Sequence, residues 1–149
     1  MSGGQPIEEL TRRAFSLWND RDLEELLEMF EPEAVWDMRP AEIPGMGEYR
    51  GHDAIRRWFG QWLEVFPDSD VEVRSVEVRG DWGMASIQQS ASGGSSGAAV
   101  EFSYWGVGHW RDGRLTFVEN FMDPDLTRAA FERHAQDPLP SEQAQPAPE

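Results

Sequence analysis

Ile55-Arg56-Arg57-Trp58-Phe59-Gly60-Gln61-Trp62-Leu63-Glu64-Val65-Phe66-Pro67, followed by Val71-Glu72-Val73-Arg74-Ser75-Val76-Glu77-Val78, is the stretch that decides the fold. In the first part Ile55, Trp58, Phe59, Trp62, Leu63 and Phe66 recur at helical spacing and form one apolar face. Pro67 ends that helix. In the second part the period becomes two. Val71 and Val73 alternate on one parity, Val76 and Val78 on the other, which predicts a bulge near Arg74-Ser75 and a bent strand. A long amphipathic helix running into a bent strand implies a curved sheet wrapped around a helix.

Downstream, Gly80-Asp81 marks a turn, and Met84–Gln89 reads as a strand. Gly93-Gly94-Ser95-Ser96-Gly97 reads as a hairpin loop before a long strand over Val100–Trp110. Asp112-Gly113 is a strong hairpin signal. Leu115–Met122 returns, and Asp123-Pro124-Asp125 opens a last short helix through His134. Upstream, Ile7, Leu10, Ala14, Leu17 and Trp18 mark a first helix, with a break at residues 19–22. Asp22 caps a second helix striped by Leu23, Leu26, Leu27 and Phe30. Ala34–Asp37 reads as a short strand, and the Pro- and Gly-rich residues 39–51 as a loop. Helices first and strands later mean α+β. The expected architecture is a cone: a strongly curved antiparallel sheet wrapped around the N-terminal helices, with a closed apolar interior.

With 149 residues, one domain over residues 7–134 is expected. Residues 1–6 are expected to be disordered. So is the Pro-rich tail of residues 135–149, whose one large apolar residue is Leu139. The net charge of −15, with no basic stripe, argues against nucleic acid and anionic membrane surfaces as partners. No apolar run spans a bilayer and no secretory signal opens the chain, so a cytoplasmic location is expected. The absence of cysteine removes disulfides and thiol chemistry. All 13 basic residues are arginines, which excludes a Schiff-base lysine. His52, His109 and His134 are scattered and form no metal constellation, so neither metal nor cofactor is expected.

Glu33-Ala-Val-Trp-Asp37, Tyr49-Arg-Gly-His-Asp-Ala-Ile-Arg-Arg-Trp-Phe59, Ser96-Gly-Ala-Ala-Val-Glu-Phe102 and Trp110-Arg-Asp-Gly-Arg-Leu115 resemble the SnoaL-like branch of the nuclear transport factor 2-like superfamily. The resemblance covers residues 7–132 and implies the cone, with a ligand between the third helix and the concave sheet. It also implies an activity drawn from a range that includes ketosteroid isomerases, polyketide cyclases, epoxide hydrolases, dehydratases and non-catalytic partners. Ala14 and Gly106 stand where the isomerases carry a tyrosine and an acid. The only Arg-x-Asp, Arg79-Gly80-Asp81, lies in a turn rather than on the strand where the epoxide hydrolases use it.

Asp37 is the leading catalytic candidate, matching the family's Val-x-Asp pattern if the preceding turn is one residue shorter. It then points inward and Trp36 outward; without that deletion the parity flips and Met38 points in. In an aromatic cone its carboxyl is expected to titrate above a free aspartate. Arg39 is expected to escape to solvent rather than hold the charge. Asn120 is a candidate for orienting a carbonyl or a water, with Val118 and Met122 on its face. Tyr104 is a candidate oxyanion donor. Trp58, Trp62, Phe66, Phe102 and Trp110 are expected to line the pocket, with Gly106 and Gly108 leaving floor space. Trp105, Val107 and His109 fall on the convex face, where a homodimer interface is expected. The expected function is a cofactor-free isomerase, cyclase or lyase acting on a small hydrophobic carbonyl or polyketide-like compound. The alternatives are a non-catalytic binder of small apolar molecules and a dimerisation module.

Overall fold

The computed structural model describes residues 6–43, 45–92 and 99–136. The Gly/Ser loop and most of the Pro-rich tail lie outside them. Helix α1 spans Ile7–Asn19 and buries Leu10, Leu17 and Trp18. Helix α2 spans Leu23–Glu28, and the Asp22 carboxylate accepts the Glu25 N–H at 3.4 Å as its cap. Strand β1, Phe30–Asp37, begins earlier than the sequence suggests. A 3-10 turn at Arg39–Ala41 and a short strand β2, Glu48–Arg50, interrupt the expected loop. Helix α3, Gly51–Val65, buries Ile55 and Phe59, and Phe66 follows it as the cap residue.

Strands β3 (Asp70–Arg79), β4 (Trp82–Ser92), β5 (Ala99–Arg111) and β6 (Arg114–Phe121) form the meander. The register of β3 against β4 shifts between Val73 and Ser75, where the parity change predicted a bulge. Asp112 (φ 54) and Gly113 (φ 80) both adopt the positive φ that a two-residue hairpin turn between right-twisted strands requires.

The sheet order is β2-β1-β6-β5-β4-β3. Among the described residues only the β1–β6 pair is parallel. The sheet does not close, since β2 and β3 remain edges, so the closed interior expected from the sequence is corrected to a curved sheet roofed by helices. Helices α1 and α3 pack over its concave face. The main core gathers Leu10, Leu17 and Trp18 of α1, Ile55 and Phe59 of α3, and Ile87, Trp110 and Leu115 of the sheet. Each large apolar side chain there contributes about 1.5–3 kcal/mol when fully buried.

Helix α4, Pro124–Gln136, runs two residues past the expected end and packs against β4, β5 and β6. Its Ala130 and Phe131 join Trp82, Val107 and Phe121 in a second core. Arg128 holds Glu77 of β3 through two bonds of 3.0 and 2.9 Å. The His134 ring lies flat on Trp82 at 4.3 Å and meets Glu119 at 3.2 Å. His109 is 1 % exposed beneath this layer, 5.0 Å from the Trp82 ring and 2.6 Å from Thr116 Oγ1. The placement of His109 at a subunit interface is therefore corrected. The chain's own last helix covers the apolar part of the convex face. Beside half-buried Trp105, the rest of that face carries Ser86, Gln88, Ser90, Glu101 and Ser103.

Candidate functional site

A cavity of about 120 Å³ opens between α1, α3 and the concave sheet face. A second, smaller chamber of about 60 Å³ adjoins it toward the 3-10 turn. Trp36, Trp58, Gln89, Tyr104 and Asn120 line both chambers and form the neck between them.

The inner chamber owes its shape to opposed walls of unequal thickness. On the helical side, the indoles of Trp18 and Trp58 stack at 6.5 Å and 28°, and those of Trp58 and Trp62 at 5.7 Å and 19°. On the sheet side, Gly83, Gly106 and Gly108 replace the side chains that would otherwise fill the gap. A Cβ on Gly83 would meet Ile7 Cγ2 at 2.9 Å, and one on Gly108 would meet Leu115 Cδ1 at 3.0 Å. Gly106 has only ordinary contacts, the nearest being Asn120 Nδ2 at 3.5 Å. The outer chamber is walled by Met38, Ala41, Ile43, Met46, Trp62, Phe102 and Met122, besides the shared neck.

Most of the candidates converge here. Trp58, Asn120 and Tyr104 stand at the neck, Trp110 and Val118 line the inner chamber, and Trp62, Phe102 and Met122 line the outer one. Two do not. Phe66 lines neither chamber and packs on Trp62 at 4.7 Å, because it caps α3 outside the helical repeat. Asp37 lines neither chamber as well, and Trp36 and Met38 take the inward positions instead. The cause lies upstream: between Phe30 and Val35 the register of β1 against β6 shifts. That sets Val35 and Asp37 on one face and Trp36 on the other. Indole burial is strongly favourable, whereas a carboxylate in the cavity would have no cation to offset its desolvation.

Arg39 does not escape. Its Nε and one terminal nitrogen donate to the two oxygens of Asp37 at 2.8 and 3.0 Å, and its backbone N–H adds a third bond at 3.0 Å. These bonds hold the Asp37 carboxyl below its usual range, with burial opposing and losing. The expected upward shift is thus corrected.

The neck is polar but nearly without charge. Trp36 Nε1–H donates to Asn120 Oδ1, and Asn120 Nδ2 reaches the Trp105 carbonyl at 3.5 Å. Asn120 thereby fixes Trp36. Gln89, 6 % exposed, donates its Nε2–H to Ser69 Oγ at 3.0 Å; that oxygen also accepts Trp62 Nε1–H at 2.9 Å. Tyr104 makes no hydrogen bond among the described residues, and burial pushes its phenol above the ordinary range. Tyr104 is the one ionisable side chain among the described residues that line either chamber. No group of three or more His, Asp or Glu able to hold a metal ion occurs among the described residues.

Sequence reasoning missed Trp36 and Gln89. Trp36 was reachable through the parity left open at β1. Gln88 and Gln89 are both polar, and only the pairing of Gln89 with Phe102 places it on the concave face.

The six-stranded curved sheet roofed by two helices is a fold shared with solved proteins described as nuclear transport factor 2-like and as having a cystatin-like fold. Within it, the SnoaL-like domain profile matches residues 11–118, and the chain belongs to that family. Among solved structures, IdmH of Streptomyces antibioticus, a candidate polyketide cyclase, is similar at TM-score 0.70 and 20 % identity, over 87 % of this chain and 99 % of that one. TerC, crystallised with polyporic acid, reaches TM-score 0.69 and 19 % identity over 89 % and 100 %. A candidate isomerase of Bacillus subtilis reaches 0.67 and 20 % over 83 % and 91 %. At these identities the likeness speaks for the fold. No curated protein matches the chain in sequence. No helix among the described residues is long and apolar enough to cross a membrane.

Proposed function

We propose that the protein binds a small, flat, largely apolar molecule inside the cone. One observation carries this reading: a preformed aromatic cavity whose described lining contains no carboxylate, imidazole or guanidinium. Such a site gains affinity from apolar burial and orients its ligand through a few neutral polar groups. Acid–base chemistry on Asp37 is not carried forward, because its carboxylate is held by Arg39 off the cavity. A second reading, enolate chemistry of the isomerase or cyclase kind, draws support from Tyr104 alone. A phenol kept protonated beside an apolar cavity can donate to an oxyanion.

Tryptophan-fluorescence titration and calorimetry with a panel of one- and two-ring aromatic compounds test the binding reading. Saturable binding is expected, and it is expected to vanish in Gly106→Leu, which fills the floor. Absence of binding across the panel, or binding untouched by Gly106→Leu, would overturn it. Self-association through the convex face is also proposed, resting now on half-buried Trp105. Sedimentation showing only monomer at roughly tens of micromolar would reject it.

A further inference from the structure

The two chambers and their neck say more about the ligand than that it is apolar. This inference rests on the binding reading and narrows it to a chemical class. A dry apolar cavity of about 150 Å³ accepts a benzene ring, so the inner chamber of about 120 Å³ suits one six-membered ring. A fused three-ring system does not fit there without displacing Trp36 or Trp58. The slot between stacked indoles and a glycine floor favours a flat ring over a puckered one.

The neck then decides the substituent. Asn120 accepts from Trp36 through its oxygen and gives one of its two amide N–H groups to the Trp105 carbonyl. Beside the remaining N–H donors of Asn120 and Trp58, two more groups stand at the neck. Tyr104 has a hydroxyl with no partner among the described residues. Gln89 gives its N–H to Ser69, which leaves its carbonyl oxygen for the neck. Gln89 pairs with Phe102, and Ile87 with Tyr104, so the two residues are diagonal neighbours on the concave face. Diagonal side chains lie about 7 Å apart at their bases, within reach of one atom placed between them. A hydroxyl donor beside a carbonyl acceptor matches a ligand oxygen that both accepts and donates. A ketone oxygen accepts only, and would leave the Gln89 carbonyl buried without a donor.

We propose that the cavity is a site for a small aromatic alcohol or phenol. Its ring fills the inner chamber, its hydroxyl bridges Tyr104 and Gln89 at the neck, and a short apolar substituent enters the outer chamber. Trp36, held by Asn120, is the positioning residue that separates ring from substituent.

Ethylbenzene, 1-phenylethanol and acetophenone share one skeleton and differ in the oxygen, so they separate the alternatives on the full chain by calorimetry. The alcohol is expected to bind at least about threefold tighter than the ketone. Tyr104→Phe is expected to weaken the alcohol about fivefold and leave ethylbenzene within about twofold, the size of one net hydrogen bond. Gln89→Met, similar in volume, is expected to act likewise, and circular dichroism checks its fold. Equal binding of alcohol and ketone, or a Tyr104→Phe variant that loses all three ligands alike, would overturn the hydroxyl site while leaving the binding reading standing. Failure of all three to bind the native chain would overturn both.

Discussion

Gly106→Ala places a methyl group on the cavity floor and drives stability and binding in opposite directions. The added Cβ meets Asn120 Nδ2 at 3.5 Å and Val118 Cγ2 at 3.8 Å, both ordinary contacts, and Gly106 has no positive φ to be strained. Replacing a strand glycine by alanine lowers the entropy lost on folding, a gain of about 0.5–1 kcal/mol. For a domain of this size that raises Tm by roughly 1–4 °C. A ring seated in the inner chamber then meets an extra methyl, and overpacking of that kind costs about 1–3 kcal/mol. The dissociation constant for a ring that fills the chamber should therefore rise by roughly five- to a hundredfold. Calorimetric melting and ligand titration on the same preparation read both effects. The other floor glycines serve as controls. Gly83→Ala and Gly108→Ala force the ends of the Ile7 and Leu115 side chains to shift and should raise Tm less than Gly106→Ala does. A Gly106→Ala protein that melts lower and binds as before would show that the floor is not the ligand's wall.

Asp37→Asn should leave ligand affinity unchanged, because Asp37 lies off the cavity. The native carboxyl titrates below its unfolded value of about 3.9, so its contribution is present above that pH and lost as pH falls through the folded value. The Tm gap between native and Asp37→Asn proteins should therefore be constant at neutral pH and shrink in acid; a gap that grows in acid would contradict the pairing with Arg39. The Tyr104 phenol should ionise above the ordinary tyrosine range in an ultraviolet pH titration, since burial disfavours the phenolate. Its absence from Tyr104→Phe identifies the transition, and an ordinary value would place the hydroxyl in water. Phe131→Ala, at a site with 0 % exposure, should cost about 3–5 kcal/mol and expose Trp82 and Val107. A loss below about 1 kcal/mol would show that α4 is not part of the core.

The parts of the fold that the sequence announces are those where one physical signal dominates. The repeat through Ile55, Trp58, Phe59 and Trp62 admits only a helix, and the Val73/Val76 parity change marks the bulge because one face of β3 must stay apolar. Asp112-Gly113 identifies its turn because few other pairs accept two positive φ values. What escaped is what neighbours decide. Phe30-Glu-Pro-Glu-Ala-Val-Trp-Asp37 has no alternation, and its direction follows from the shifted pairing with β6, which the segment itself does not encode. That single uncertainty exchanged Asp37 for Trp36 and turned an acid–base site into an aromatic neck. The last helix was visible, but Ala130 and Phe131 do not say which sheet face they cover. Its packing on the convex side removed the reason for placing His109 at an interface.

The space between Trp58 and Gly106 is proposed as a binding site. A crystal of the protein soaked in bromobenzene tests it most directly, because the anomalous signal of bromine locates the ring without ambiguity. One strong bromine site is expected inside the cone, with the ring in the inner chamber between the Trp58 indole and the glycine floor. Bromine found only on the outer surface, with the inner chamber empty at saturating ligand, would contradict it.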